Sequence, residues 1–229
     1  MRLLVVGHGK MGRLVEALAP EYGFTVAGVV DPQSPAHGGD ADDERWRGVD
    51  VAVDFTVAEA VVRNAPVLAR RGVNLVIGTT GWQAHESALR QAVADAGTGA
   101  VAAPNFAVGV LLFDAVVRRA AELFAGQDAF AAYVYEAHHA AKRDAPSGTA
   151  YALIRGMEES GYRRPVDVAS TRAGQIPGIH TIGFDGPSES ITLTHTARDR
   201  SAFARGALEA ARWVVGRRGW YTMHDVLGI

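Results

Sequence analysis

Between Glu136 and Ala150 the chain places two adjacent imidazoles, two cationic side chains and a Pro-Ser-Gly-Thr turn within fifteen residues. His138 or His139 can give up a proton near neutral pH. Lys142 adds a mobile cation with three donors. The preceding run Ala131–Tyr135 reads as a strand, and Ala150–Glu159 reads as a helix that begins near Ser147–Thr149. The cluster is therefore expected in a strand-to-helix loop. A helix start presents free backbone N–H groups and the positive end of a dipole, which suits a carboxylate or phosphate. Taken singly, these residues could be surface imidazoles, a turn and an N-cap. Together they describe a place where an anionic small molecule is held beside a proton donor.

A second chemistry is written near the N-terminus. The apolar run Arg2–Val6 is followed at once by Gly7-His8-Gly9-Lys10-Met11-Gly12, then a helical stretch from Met11 to about Pro20. Phe24–Val30 reads as a second strand ending in Asp31. In this pattern Gly7 allows the tight turn, Gly9 lets the backbone approach a pyrophosphate, and Gly12 lets the helix pack on the sheet. Asp31 stands 19 residues beyond Gly12, close to the roughly 20 expected of the acid that binds a ribose 2′-hydroxyl. Strand, glycine loop, helix, strand and acid together predict a bound dinucleotide. A carboxylate accepts from a 2′-hydroxyl but repels a 2′-phosphate, and Pro32 stands where an arginine would help bind that phosphate. NADH is the expected cofactor, with Lys10 leaving some room for NADPH.

The elements that must position these residues alternate. After the polar loop Pro32–Gly48, strands are expected at Val49–Asp54, Asn74–Ile77 and Ala100–Ala103, with helices at Val57–Arg71 and Trp82–Ala96. This predicts an α/β fold, an N-terminal doubly wound, mostly parallel sheet of Rossmann type. Ligands of such sheets lie beyond the carboxyl ends of the strands, where Phe55, Thr79, Thr80, Asn105 and Phe106 fall. Phe55 could cover a nicotinamide face. Ala107–Phe124 reads as a long bridging helix. Beyond it, Val166–Arg172, His180–Phe184 and Glu189–Ala197 are strand-like, with one helix between them and Ala131–Tyr135. This predicts a smaller α+β domain with a mixed sheet and helix on one face. The other face, expected to be flat and apolar, would need cover from another subunit.

Composition narrows the function. The chain has 229 residues, no cysteine and a formal net charge of −2. Nothing in that balance invites nucleic acid or an anionic membrane. Without cysteine there are no disulfides, thiolate metal sites or thiol nucleophiles. The first residues run directly into the glycine loop and no apolar run is long enough to span a bilayer, so a cytoplasmic protein is expected.

The run Glu136-Ala-His-His-Ala-Ala-Lys-Arg-Asp-Ala-Pro-Ser-Gly-Thr-Ala closely resembles the signature of the dihydrodipicolinate reductases of lysine and diaminopimelate biosynthesis. The likeness continues through Gly78-Thr79-Thr80 and Ala103-Pro104-Asn105-Phe106, which look like that family's nicotinamide-side contacts. It implies reduction of 4-hydroxy-tetrahydrodipicolinate to tetrahydrodipicolinate by NAD(P)H. It further implies His138 as proton donor, Lys142 as second donor or polariser, and His139, Ser147, Gly148 and Thr149 as holders of a dicarboxylate. It implies a C-terminal tail that returns to the first domain. The expected division is 1–106 with 202–229 for the dinucleotide, and 107–201 for substrate and oligomerisation. It also implies a homo-oligomer, a tetramer.

Three other readings compete. A different nicotinamide dehydrogenase would share the two-domain plan but not the Glu136–Ala150 signature. A dinucleotide-sensing regulator would need a basic or partner-binding element, and none is visible. A metal site could be imagined from His138, His139, His180 and His195, but no two have the helical spacing of common zinc motifs. No metal is expected.

Overall fold

The computed structural model describes residues 1–33 and 39–229; residues 34–38 of the loop after Asp31 lie outside the described residues. The chain divides into two compact units, Met1–Val108 with Arg200–Ile229, and Gly109–Asp199.

In chain order the first unit begins β1 (Arg2–Val6), α1 (Lys10–Leu18), β2 (Thr25–Val30), β3 (Val51–Asp54), α2 (Ala58–Arg70), β4 (Asn74–Ile77), α3 (Glu86–Ala96) and β5 (Gly99–Ala102). The chain continues through α4 (Val108–Phe124), β6 (Ala131–His138), α5 (Gly148–Glu159), β7 (Val166–Arg172), β8 (Ile179–Asp185) and β9 (Ser190–Thr196). It ends with α6 (Ser201–Val214), β10 (Gly219–Tyr221) and α7 (Met223–Leu227).

The first unit carries a six-stranded sheet in the order β10-β5-β4-β3-β1-β2, with every pair parallel. Leu3, Leu4, Val5 and Val6 are all buried. Continuous apolar runs of this kind belong to strands covered on both faces. Each such side chain taken out of water contributes about 1.5–3 kcal/mol. Helices α1 and α6 pack together, as do α2 and α3. Two glycines permit close approaches that no other residue would. A Cβ on Gly12 would lie 1.9 Å from the Gly7 carbonyl oxygen, and one on Gly206 would lie 1.7 Å from that of Phe106. Gly12 thus seats α1 on the glycine loop. Gly206, in the middle of α6, trades about 1 kcal/mol of helix propensity for its seat on the turn after β5.

The second unit is a four-stranded mixed sheet, β7-β6-β8-β9. β6 runs parallel to β7 and antiparallel to β8, and β8 pairs antiparallel with β9. One face buries Ala132, Val134, Ile182 and Phe184 against Val117 and Ala121 of α4 and Leu153 and Met157 of α5. Phe124 stacks on Phe184 at 4.4 Å between ring centres. The other face is not the apolar surface that strand counting suggests. Strand alternation puts Tyr133, Tyr135, Thr181, Thr192 and Thr194 there, and their hydroxyls form short rungs. Tyr135 Oη donates to Thr171 Oγ1 at 3.2 Å, and Thr181 and Thr194 meet at 3.0 Å.

The structure departs from the sequence expectation at β6 and in the tail. β6 continues through His138 rather than stopping at Tyr135, because Glu136, Ala137 and His138 pair in register with both β7 and β8 or with β7 alone. Glu136 and His138 are therefore strand residues, and only the remainder of the signature forms a loop. The tail also contains an unforeseen strand. β10 pairs with β5 at the edge of the first sheet, and α7 follows behind a Thr222–Asp225 capping box. Three residues are too short for a periodicity signal.

Candidate functional site

The first unit gathers its polar groups at the carboxyl ends of β1, β2, β3 and β4. Gly7 adopts φ +90°, and its N–H donates to the Val30 carbonyl at 2.8 Å. The next N–H, of His8, donates to Asp31 Oδ2 at 2.7 Å, while Gln33 N–H donates to Oδ1 at 2.8 Å. Asp31 is thus pinned beside the glycine loop by backbone donors on both oxygens. His8 Nε2 meets Glu16 at 2.7 Å.

A cleft of about 700 Å³ is lined by Gly7, His8, Gly9, Asp31, Phe55 and Arg63, among others. A second hollow of about 560 Å³ is lined by Gly9, Lys10, Met11, Phe55, Thr79 and Thr80, among others. A Cβ on Gly9 would meet nothing within 4 Å, so the crest of the loop is open to a ligand. An open glycine crest, a helix start and a fixed carboxylate fit a dinucleotide.

Several of the expected contacts also hold the turns together. Phe106 is buried, packed edge-on to Phe55 at 6.2 Å. Asn105 Oδ1 accepts from the N–H of Ala107. Ala103 N–H donates to the Ile77 carbonyl, joining the turn to β4, while Pro104 is exposed. Gly78 is needed by Phe55, whose ring would lie 2.1 Å from a Cβ there. Thr79 is buried and donates to Asp54 Oδ1 at 3.0 Å, while Thr56 N–H reaches Thr79 Oγ1 at 2.7 Å. Asp54, which sequence reasoning passed over, is the hub of this turn. Burial pushes its carboxyl above the usual range, although Thr56 and Thr79 bond to it.

In the second unit the polar groups converge on one carboxylate. Glu136 is fully buried. Its Oε2 meets His138 Nδ1 at 2.5 Å, and its Oε1 accepts from Arg172 Nη2 at 2.6 Å. Alternation along β6 puts Glu136 and His138 on one face. The parallel register sets Arg172 opposite His138. Arg172 Nη2 also donates to the carbonyl of Asp144, so the clamp reaches the signature loop. His180 lies across from Glu136, its ring edge-on to that of His138 at 5.1 Å. His180 Nε2 meets Ser147 Oγ at 3.1 Å.

Burial pushes the Glu136 carboxyl up, but bonds from Arg172, Ser170 and His138 outweigh it and hold it at about 2. Burial lowers His138, with the Lys142 and Arg172 charges acting the same way and Glu136 opposing them. His180 is pushed down to about 4 by burial and by the charge of His138.

The loop residues are placed unequally. Lys142 pairs with Asp144 at 2.8 Å, and its N–H closes a turn onto the His139 carbonyl. His139 and Thr149 are half-buried, and Gly148 is exposed. Ser147 is buried, its hydroxyl occupied as the N-cap of α5 and by His180. Its visible role is to fix the helix start. A Cβ on Gly178 would lie 3.3 Å from His138 Nε2, so glycine there leaves that nitrogen uncovered. Sequence reasoning missed Arg172 and gave His180 only a metal reading. The donor atoms of Glu136, His138 and His180 do lie within 4.8 Å of one another. However, Arg172 holds the carboxylate, and its charge repels a cation. His195, opposite His180 on β9, packs against Phe113 at 5.8 Å.

The chain resembles known proteins over its length. Residues 1–106 match the family described as "Dihydrodipicolinate reductase, N-terminus", and residues 109–227 match its C-terminal counterpart. The 4-hydroxy-tetrahydrodipicolinate reductase of Rhodopseudomonas palustris (strain TIE-1) is 38% identical over 268 aligned positions, covering 100% of this chain and 98% of the relative. The same-named protein of Methanoregula boonei is 43% identical over 195, covering 79% and 75%. In fold, the dipicolinate-bound dihydrodipicolinate reductase of Paenisporosarcina sp. TG-14 is similar, with a TM-score of 0.83 at 22% identity and 98% of each chain covered.

The histidine and glutamate values set a direction for acid sensitivity. His180 sits at about 4 in the fold against an ordinary 6.5, so the unfolded chain binds its proton first. Stability is full above pH 6.5 and declines toward pH 4, by on the order of 3 kcal/mol. Glu136, lowered from 4.5 to about 2, extends the decline below pH 4.5. Urea unfolding of wild type and His180→Gln at pH 7 and pH 4.5 should show a smaller decline in the variant. Equal declines would exclude His180 as the source.

Proposed function

Because the chain belongs to the dihydrodipicolinate reductase family, we propose that it reduces 4-hydroxy-tetrahydrodipicolinate to tetrahydrodipicolinate in lysine and diaminopimelate biosynthesis. The observation that carries this is the match of both family halves across residues 1–106 and 109–227. The chain is an oxidoreductase of a nicotinamide-dependent family.

The net reaction adds a hydride and a proton and releases water. Bound reduced nicotinamide supplies the hydride. The protein's residues bind, orient and deliver the proton. Gly7, Gly9 and Gly12 shape the pyrophosphate seat, with His8, Lys10 and Met11 between them. Asp31 accepts from a ribose hydroxyl, and Phe55 and Thr80 line the hollow beyond the loop. Gly78 and Thr79 line the same hollow, and Ala103, Pro104, Asn105 and Phe106, which follow β5, complete the nicotinamide side.

In the second unit, Gly148 and Thr149 at the start of α5 take one substrate carboxylate, with Ser147 fixing the helix start. His139 and Lys142 take the other end. Asp144 now occupies Lys142, so a substrate carboxylate exchanges for a protein one there. His138 donates the proton, and Lys142 polarises the substrate. A metal has no role in this scheme.

NADH is preferred over NADPH. Asp31 is held rigidly by two backbone donors and repels a 2′-phosphate. The protein is a cytoplasmic homo-oligomer, a tetramer, as the family resemblance implies. Among the described residues no helix is long and apolar enough to cross a membrane.

Three measurements test this reading. With coupled dihydrodipicolinate synthase product, wild type should oxidise NADH, and His138→Ala or Lys142→Ala should lower kcat by about 100-fold or more with NADH affinity unchanged. Absence of NADH oxidation above background in wild type would remove the assignment. The ratio of kcat/KM for NADH over NADPH should exceed one and fall below one in Asp31→Ser/Pro32→Arg; an unchanged ratio would clear Asp31 of any part in selection. Light scattering should give four chains per particle, and a monomer at micromolar concentration would discard the oligomer.

A further inference from the structure

We propose that Glu136 is a positioning residue, which holds His138 by Nδ1 and leaves Nε2 as the atom that gives up the proton, with Arg172 keeping the carboxylate in place. The inference rests on His138 being the proton donor of the proposed reaction. It adds which nitrogen acts, and what determines that choice.

Three observations carry it. First, Glu136 Oε2 lies 2.5 Å from Nδ1, and no solvent reaches the carboxylate. An ionised carboxylate has only acceptors, so the Nδ1 proton stays between them. After donation from Nε2, the neutral imidazole left behind is the Nδ1–H tautomer that Glu136 already favours. Second, the open nitrogen is Nε2, since Gly178 offers no side chain to cover it. Third, Arg172 spends more than a plain strand-to-strand ion pair requires. It gives Nη2 to both Glu136 Oε1 and the Asp144 carbonyl, while its buried Nε has no partner among the described residues. An unpaired buried donor costs about 1–3 kcal/mol. A structural link between β6 and β7 could be made more cheaply by apolar side chains.

The charged and titratable groups facing His138 come from each neighbouring element. They are Glu136 on β6, Arg172 on β7, His180 on β8 and Lys142 in the loop. Only Glu136 favours the imidazolium. Removing its charge must therefore lower the pH at which His138 loses its proton. A proton donor works only while protonated, so the alkaline fall in kcat must begin at lower pH.

The test is Glu136→Gln, nearly equal in shape and without charge. We expect kcat to fall at least about 10-fold with KM for the dicarboxylate changed less than about threefold, and the alkaline limb of kcat to move down by about one pH unit or more. Nitrogen-15 NMR of the His138 ring needs no turnover. In wild type it should report the Nδ1–H tautomer when neutral, and in the variant a lower titration midpoint. An unchanged midpoint, or the Nε2–H tautomer in wild type, overturns the proposal. So does a fall in kcat with an unmoved pH profile, since that is what simple loss of structure gives. If wild type shows the NMR signature but no reductase activity, the reaction assignment fails and the orientation of His138 stands. Should Glu136→Gln not fold because Arg172 is left unneutralised, the ring tautomer of wild-type His138 remains the deciding readout, and the Nε2–H form overturns the proposal.

Discussion

A carboxylate sealed from water is unstable unless something charged holds it. Glu136 is in that position, and the second unit is arranged around meeting its need. Burial alone would drive the carboxyl neutral. A guanidinium at 2.6 Å and an imidazole at 2.5 Å reverse the outcome and keep it ionised. The consequences spread outward through the same bonds. Arg172 reaches from Glu136 to the Asp144 carbonyl and so secures the loop that carries Lys142. His180, across the sheet, holds Ser147, which caps α5. The imidazole and the loop that carries the ammonium are therefore tied to one buried charge, and His180 ties the helix start to the same sheet.

The first unit solves a different problem with weaker parts. Its loop must approach a ligand's backbone closely, so it is made of what is missing: side chains at Gly7, Gly9 and Gly12. The positions are set by close contacts, such as the 1.9 Å that a Cβ on Gly12 would face. Among the described residues Asp31 is held by two backbone N–H groups, and it lines the cleft.

Much of this was legible because it is local. The glycine spacing, the acid 19 residues on, and the alternation of apolar runs with helical stretches are patterns within thirty residues. They give the parallel sheet and its ligand edge. The Glu136–Ala150 signature is likewise one local run. Legibility failed where partners are distant in sequence. Arg172 is 36 residues from Glu136, and His180 is 33 from Ser147; only strand register brings them together. Failure of a second kind arose at β6. The three residues Glu136, Ala137 and His138 look polar enough to end a strand, because their burial is decided by partners that the local window does not contain. Thr79 marks a third kind: it lines the hollow beyond the glycine loop and also bonds to Asp54, a second task that its place after a strand does not announce.

The two buried carboxylates separate what partners of different kinds can do. Asp54 accepts from the hydroxyl and N–H of Thr56 and from the hydroxyl of Thr79, and its affinity for a proton still rises. Glu136 has at least as little water but receives a full positive charge, and its affinity falls. Arg172 brings Glu136 a charge–charge attraction on top of its hydrogen bond, and Thr56 and Thr79 bring Asp54 hydrogen bonds alone. Asp54 is suited to tie two turns together, whatever its charge. Glu136 is held permanently negative, and a permanent negative charge beside Nδ1 is what an imidazole requires if its other nitrogen is to be the one that acts.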